Sequence, residues 1–203
     1  MKKSYSTSCI YIMCIAIAAS FFSCKGKKQQ GAAPEVKVVP VETIPDFIET
    51  RGRIGDGSSM NVMQLIEPDG DTLEFIISDQ LVMGGVIVGD EADVIYNVID
   101  ENLVAQSAIN LTALQHLWSQ NTDDGTKKSL EIDSKGRATT YNMTIKYDRW
   151  AVQDGVLLLS SPRKVGDEKP ADVDTFQIMM LTEDSLVLMA NSAPIASAFY
   201  RDN

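Results

Sequence analysis

The sequence contains very little cysteine and histidine. Its three cysteines, Cys9, Cys14 and Cys24, all lie within the first 24 residues, and His116 is its single histidine. The usual zinc ligand sets are therefore excluded, and so is a disulfide framework after residue 24. We predict no metal and no cofactor. The fold must then be stabilised by apolar burial, which about 180 residues can supply.

Positive charge is also scarce. The chain has 18 Lys and Arg residues against 28 Asp and Glu residues, a net charge of −10. Removal of residues 1–23 would take away two lysines and leave a net charge of −12. Nucleic-acid binding needs a basic surface. We therefore expect no nucleic-acid partner and an acidic, solvated surface.

The longest uncharged apolar run is too short to span a membrane comfortably. Cys9–Phe22 (CIYIMCIAIAASFF) follows Lys2 and Lys3, whereas a membrane span needs about 20 apolar residues. This pattern is typical of a secretory signal peptide. The run ends in Ser23-Cys24, and residues 25–34 (KGKKQQGAAP) then have the composition of a flexible tether.

Ser23-Cys24 resembles the lipobox of bacterial lipoproteins, although Phe21 and Phe22 depart from its preferred residues. The resemblance implies cleavage before Cys24 and attachment of fatty acyl chains such as palmitate to its thiol and its new amine. We expect a signal peptide over residues 1–23, a tether over residues 24–34 and a lipid anchor in the outer membrane. Lysines follow Cys24 where acidic residues favour surface export in such lipoproteins, so we expect the periplasmic face. An ordinary secretory signal cleaved after Ser20 or Ser23 is the alternative.

Residues 35–109 have the pattern of a small OB-like β-barrel domain. About five short strands are separated by turns, and Gly52, Gly55 and Gly57 mark a bend in the first of them. A phosphate-binding loop would need a following helix and a Lys-Ser/Thr pair, which are missing here. The domain also lacks the basic groove and the aromatic ladder of nucleic-acid-binding OB-folds. A structural or protein-contact role is therefore favoured over ligand binding.

A short helix is expected to join this domain to residues 110–203. Asn110 is a plausible N-cap, and Leu111, Leu114, Leu117 and Trp118 would share one helical face. His116 would then be an exposed helical histidine.

Residues 110–203 contain about eight short strands in succession, which predicts an up-and-down antiparallel barrel. At its centre lie three strand-like runs, Ala138–Asn142, Ile145–Val152 and Val156–Leu159, with a hairpin turn at Asp154-Gly155. The hydrophobic phase of the second run flips near Asp148, which predicts a bulge or bend there. The fold class is therefore all-β, with two barrels.

Leu117-Trp118, LEIDSKGRATTYNMTIKYDRWAVQDGVLLL and DTFQIMMLTEDSLVL resemble the small lipocalin-like lipoproteins of Bacteroides-type bacteria. The resemblance implies a barrel that holds an apolar or amphipathic ligand. It also implies a structural pair in which Arg201 of the last strand covers Trp118 of the first. His116 stands where lipocalins have the glycine of their Gly-x-Trp motif.

The bulky side chains of this barrel have two interpretations, a ligand pocket or a packed core. The candidate lining residues are Tyr141, Met143, Tyr147, Trp150, Phe176 and Met180. Methionines and aromatic side chains line pliable pockets and also fill cores. The sequence leaves both interpretations open.

Thr72 and Ser185 each follow an aspartate and precede a leucine. This matches a short acceptor pattern for protein O-glycosylation in the bacterial group that the sequence resembles, although two ordinary strand starts would look the same.

No spacing of acidic residues suggests catalysis by paired carboxylates, and we expect a protein that is not an enzyme. The favoured function is a lipid-anchored envelope protein that binds a small lipophilic ligand. The alternative is a structural or adaptor lipoprotein that contacts another envelope protein.

The lipid anchor makes a direct prediction. Cys24→Ala removes the thiol that forms the thioether, so the variant should be released from membranes and lose labelling by a clickable fatty acid. Cys14→Ala, within the predicted signal peptide, is the matched control and should stay labelled. A Cys24→Ala protein that remains membrane-bound would contradict the predicted anchor.

Overall fold

A computed structural model describes residues 47–78, 81–163 and 171–202. For residues 193 and 194 it describes the backbone and not the side chains. The predicted signal peptide, Cys24 and the tether lie outside these residues. Within residues 43–203 the chain forms one compact unit. No helix of the described part is both long and apolar enough to cross a membrane.

The first sheet forms a small barrel. Its strands are β1 (Ile48–Ile54), β2 (Val62–Ile66), β3 (Thr72–Ile76), β4 (Val82–Met83), β5 (Glu91–Ile99) and β6 (Asn102–Asn110). The strand order is β3-β2-β1-β5-β6-β4, and a parallel pairing of β3 with β6 closes five of the strands. The predicted OB-like barrel is therefore confirmed.

Gly52 explains why the first strand of this barrel contains glycine. It pairs with Ala92 of β5, and a Cβ atom at Gly52 would lie 2.5 Å from the carbonyl oxygen of Ile66 in β2. Only glycine allows the two backbones to approach this closely. The core beneath is apolar, with Met63, Leu65 and Phe75 fully buried.

A single helical turn, α1 (Leu111–Leu114), follows the first barrel. Asn110 is its N-cap, as predicted, and accepts a hydrogen bond from the backbone N–H of Ala113 at 2.9 Å. The prediction that the helix continues through His116 to Trp118 was wrong. Leu117 and Trp118 already pair with β8 of the second sheet, and this pairing prevents the backbone from remaining helical.

The second sheet has eight antiparallel strands. They are β7 (Leu117–Asn121), β8 (Lys127–Ile132), β9 (Ala138–Tyr141), β10 (Arg149–Gln153), β11 (Val156–Ser160), β12 (Val173–Leu181), β13 (Ser185–Ala190) and β14 (Ala193–Arg201). The order β10-β11-β12-β13-β14-β7-β8-β9 follows the chain and pairs β14 with β7. One bridge, Arg137 to Arg149, joins the two remaining edges. The predicted up-and-down barrel is confirmed and is nearly closed.

The central hairpin is partly as predicted. Asp154 and Gly155 have φ values of 50° and 71°, as a two-residue hairpin turn requires. In contrast, Ile145–Val152 is not one strand, because β10 begins only at Arg149. The chain reverses at Asn142, whose φ is 54°, and residues 142–148 form a loop that includes Ile145–Asp148, the first part of the second predicted strand.

The turn between β10 and β11 contacts the first barrel. Arg51 of β1 donates to the Oδ2 atom of Asp93 at 2.8 Å and to the carbonyl oxygen of Val152 at 3.0 Å. The backbone N–H of Asp154 donates to Glu49 at 2.9 Å. Asp93 is 3% exposed, and a buried charge is tolerated only with such a partner. Arg51 therefore neutralises Asp93 and links the two barrels.

Glu49 adds a pH-dependent element to this junction. Partial desolvation, and then the negative charge of Asp93, raise the pKa of Glu49 above its ordinary value. The described residues offer no hydrogen-bond partner to the Oδ1 atom of the buried Asp93. A group with a raised pKa stabilises the folded state at low pH, and this contribution is lost as the pH rises through its folded pKa.

The Glu49→Gln variant should therefore have the same free energy of unfolding as the wild type under acidic conditions. As the pH rises above the ordinary pKa of glutamate, the variant should become progressively more stable than the wild type. Glutamine keeps the oxygen that accepts from Asp154 but carries no charge. Urea denaturation across a pH series measures the difference. Glu101→Gln, at the exposed turn between β5 and β6, is the control and should show no such trend; an equal trend in both variants would contradict the assignment to Glu49.

Candidate functional site

A cavity opens at one end of the second barrel, and we call it the barrel-mouth cavity. Its volume is about 270 Å³. Five strands and the loop of residues 142–148, the covering loop, form its walls. The lining residues are Lys128, Leu130, Met143, Thr144, Ile145, Tyr147, Leu159, Phe176, Leu188, Ser197 and Phe199.

Strand alternation aims these side chains inward. Successive residues of a strand point to opposite faces, so Leu130 and Ile132 share the inner face of β8, and Ser197 and Phe199 share that of β14. Leu188 pairs directly with Ser197, which places the two on the same inner surface. The cavity is therefore a part of the barrel interior that its own side chains leave unfilled.

The other end of the barrel is packed. Trp118 is fully buried and donates from its Nε1 atom to the carbonyl oxygen of Leu114 at 2.8 Å, which ties it to α1. Leu157 and Leu186 are also fully buried in the same core. Eight-stranded barrels are either just filled or able to hold one small ligand. This barrel is filled beside α1 and open at its mouth.

Hydrogen bonds hold the covering loop over the mouth. Thr140 donates from its hydroxyl to the carbonyl oxygen of Ile145 at 3.2 Å, and Asn142 donates from its side chain to the carbonyl oxygen of Lys127 at 2.8 Å. Tyr147, 6% exposed, donates from its hydroxyl to Asp174 of β12 at 2.6 Å. The loop is thus bonded to strands on two sides of the barrel.

Tyr147 is the polar group at the inner edge of the covering loop. Burial, then the hydrogen bond to Asp174 and its negative charge, raise the pKa of Tyr147 far above its ordinary value. The phenol therefore remains a neutral donor. Its ring meets Phe176 edge to face, with 6.4 Å between ring centroids, a favoured aromatic geometry.

The six predicted lining residues divide into two groups. Met143, Tyr147 and Phe176 line the cavity. Tyr141 is 45% exposed and donates to Glu131 on the outer surface. Trp150 packs against the barrel core and donates to the carbonyl oxygen of Asp133, at the end of β8 away from the mouth.

Met180 lies outside the cavity because of a β-bulge. The register between β12 and β13 shifts between Ile178 and Met180. Strict alternation would turn Met180 inward with Phe176 and Ile178, but the extra residue leaves both Met179 and Met180 exposed. Bulges change the direction of side chains in this way.

Several lining residues were not predicted from the sequence. Alternation along β8 and β14 could have indicated Leu130 and Phe199. Nothing in the sequence indicated Lys128 or Ser197, because polar residues in a strand are ordinarily assigned to the solvent face.

Trp118 and Arg201, the predicted structural pair, face each other in the register between β7 and β14. Arg201 donates to the carbonyl oxygen of Glu183. His116 meets the Trp118 ring edge to face at 5.8 Å, and burial and the charge of Arg201 lower its pKa. His116 is therefore partly buried against the tryptophan, which corrects the expected exposed helical histidine.

The two candidate glycosylation residues stand at strand starts. Thr72 begins β3 and is exposed. Ser185 begins β13, is partly buried and donates from its hydroxyl to Asp184 at 3.0 Å.

Among the described residues, no group of three His, Cys, Asp or Glu side chains is placed to hold a metal ion.

The first barrel carries a different concavity, of about 390 Å³, between the β1–β2 loop and the segment around Val86. No aromatic side chain lines it. Phe75 and Tyr96 contact each other with tilted rings whose centroids are 4.9 Å apart, and Phe75 is fully buried in the core. The barrel-mouth cavity is therefore the better candidate for a ligand.

Comparison with known proteins agrees with this architecture. Residues 110–201, which contain the second barrel, match the family model described as lipocalin-like. A solved structure of a lipocalin-like protein from Bacteroides thetaiotaomicron is 25% identical and covers 44% of this chain and 97% of that one, with a TM-score of 0.36. No curated protein matches the chain.

Tyr147→Phe tests the bond that holds the covering loop. It should lower the free energy of unfolding by about 1.5–3 kcal/mol, as expected for a hydrogen bond to a charged group. Tyr141→Phe removes an equally short bond between the exposed Tyr141 and Glu131 and should change stability much less, because surface substitutions have small effects. Urea denaturation of both variants measures the difference, and equal effects would show that burial does not strengthen the bond of Tyr147.

Proposed function

We propose that the protein binds a small lipophilic ligand in the barrel-mouth cavity while a lipid on Cys24 holds it at the periplasmic face of the outer membrane. The observation that carries the proposal is a lipocalin-like barrel packed at one end and open at the other. The anchoring part rests on the sequence before residue 25.

The walls of the cavity have the composition of a ligand site. Leu130, Leu159 and Leu188 supply apolar surface, and Phe176 and Phe199 add aromatic surface. Small-molecule sites combine such walls with a few polar groups that orient the ligand. Here those groups are Thr144, Ser197 and the Tyr147 hydroxyl.

Ligand entry is compatible with the loop geometry. As far as Tyr147 the covering loop is held through the side chains of Thr140, Asn142 and Tyr147, and its backbone bonds to the strands begin at Asp148. Segments held in this way open at lower free energy than core strands. Displacement of the loop would uncover the cavity without breaking the pairing of the barrel strands. We expect the loop to move when ligand enters.

A cavity-filling variant tests the function. Ser197→Trp places a bulky ring in the cavity and should abolish binding of the neutral fluorophore N-phenyl-1-naphthylamine. Ala198→Trp puts the same ring on the outer face of the same strand and should bind like the wild type. The polypeptide from Lys25 onward, which keeps every described strand, is used without detergent.

Native mass spectrometry of the same polypeptide should reveal a co-purifying small molecule that the Ser197→Trp protein lacks. Circular dichroism establishes that each variant is folded, and Met143→Arg, in the covering loop, provides a second block if the barrel variant unfolds. A folded wild type that binds no fluorophore and carries no extra mass would overturn the proposal and favour the adaptor function.

A further inference from the structure

We propose that the ligand is a single-chain amphiphile with an anionic head group, and that Lys128 binds this head group at the mouth of the barrel. This inference rests on the proposed function. It assigns the chemical class of the ligand and the residue that selects it.

Lys128 points into the barrel. It stands two residues before Leu130 on β8, and residues two apart share a face; both line the cavity. Lys127, one residue earlier, lies on the outer face and pairs with Asp202. The two adjacent lysines therefore have opposite orientations, and only the inner one meets the cavity.

Lys128 is the single charged residue among the described residues that line the cavity. None of the ion pairs of the described part involves it. The side chain is partly buried, and a partly buried lysine commonly packs its alkyl stem on apolar surface and keeps its ammonium group in water. An ammonium group at the rim of an apolar cavity is complementary to an acidic head above an alkyl chain.

Two carboxylates are relevant to Lys128. Hydrogen bonds from Thr122 and Thr126, and in smaller part the charge of Lys128, lower the pKa of Asp124 in the exposed turn between β7 and β8. The other carboxylate lies inside the barrel, on the opposite wall. Asp174 belongs to β12, which is four strands from β8 in either direction around the sheet. Its carboxylate accepts the hydrogen bond of Tyr147. The cation is thus separated from this carboxylate by the width of the barrel, and the two sides of the mouth differ in sign.

The size of the cavity limits the apolar part of the ligand. Its volume of about 270 Å³ lies just below the roughly 300–1,000 Å³ common for small-molecule pockets. One short alkyl chain fits such a space, and a lipid with several acyl chains does not. The head group then lies at the mouth, at the level of Lys128.

Two ligands with the same alkyl chain and different head groups separate the contribution of the head group to the affinity from that of the chain. Decanoate and decanol compete with N-phenyl-1-naphthylamine for the polypeptide from Lys25 onward, near neutral pH and below their aggregation limits. We expect decanoate to bind about fivefold more tightly than decanol, the upper range for a partly exposed ion pair. Raising the ionic strength should narrow this preference through screening.

Variants of the two adjacent lysines show which lysine causes the preference for decanoate over decanol. Lys128→Gln should bring decanoate and decanol to equal affinity by weakening only the acid, and Lys128→Arg should keep the preference. Lys127→Gln changes the same charge on the outer face and should leave the preference intact. The affinity of decyl phosphate, measured in parallel with that of decanoate, shows whether the site prefers a phosphate or a carboxylate head group.

Three outcomes would overturn the inference. The first is a wild type that binds decanol as tightly as both acids. The second is a Lys128→Gln protein that loses acid and alcohol equally, which would show that the stem of the lysine contributes packing and its charge contributes nothing. In both cases the neutral fluorophore still binds and the proposed function stands. The third is a wild type that binds neither the fluorophore nor any of these ligands, in which case the proposed function fails as well.

Discussion

The connection between the two barrels depends on the hydrogen bonds of the Asn110 side chain. This side chain is 1% exposed, and its Oδ1 atom accepts from the N–H of Ala113. Its Nδ2 atom donates to Asp90 at 2.8 Å and to the carbonyl oxygen of Gly85 at 3.2 Å. One amide therefore ends the last strand of the first barrel, begins the helical turn and holds a loop of the first barrel beside it. An apolar residue here would leave buried donors and acceptors without partners, which is costly.

The helical turn that Asn110 caps closes the second barrel. Leu111 and Leu114 belong to the core of that barrel, and the carbonyl oxygen of Leu114 accepts from Trp118. Gly84 of the first barrel donates its N–H to the carbonyl oxygen of Leu181 at 3.0 Å. The first barrel and the helical turn thus seal one end of the second barrel. The unfilled space is left at the other end, beneath the covering loop.

The sequence predicted some features of the cavity and missed others for definable reasons. Phe176 and Tyr147 were predicted as lining residues because large aromatic side chains within strand-like runs are expected to face the barrel interior. Met180 was assigned inward because alternation assumes a regular strand, and the uninterrupted apolar residues from Ile178 to Leu181 do not reveal the bulge. Lys128 was not considered because a lysine in a strand is ordinarily solvent-facing. Ile145–Asp148 of the covering loop were taken for the start of a strand because Ile145 and Tyr147 alternate with polar residues.

The sequence by itself determined the fold class and the number of strands in the second barrel. Turn residues such as Asp154-Gly155 and alternating apolar residues act over a few positions, and a local pattern records local preferences. The particular pairings that close each barrel, the junction through Arg51 and Asp93, and the space at the barrel mouth were decided only by the tertiary structure. Each of these depends on residues that are far apart in the chain and on whether their side chains together fill the enclosed volume, which no short stretch of sequence encodes.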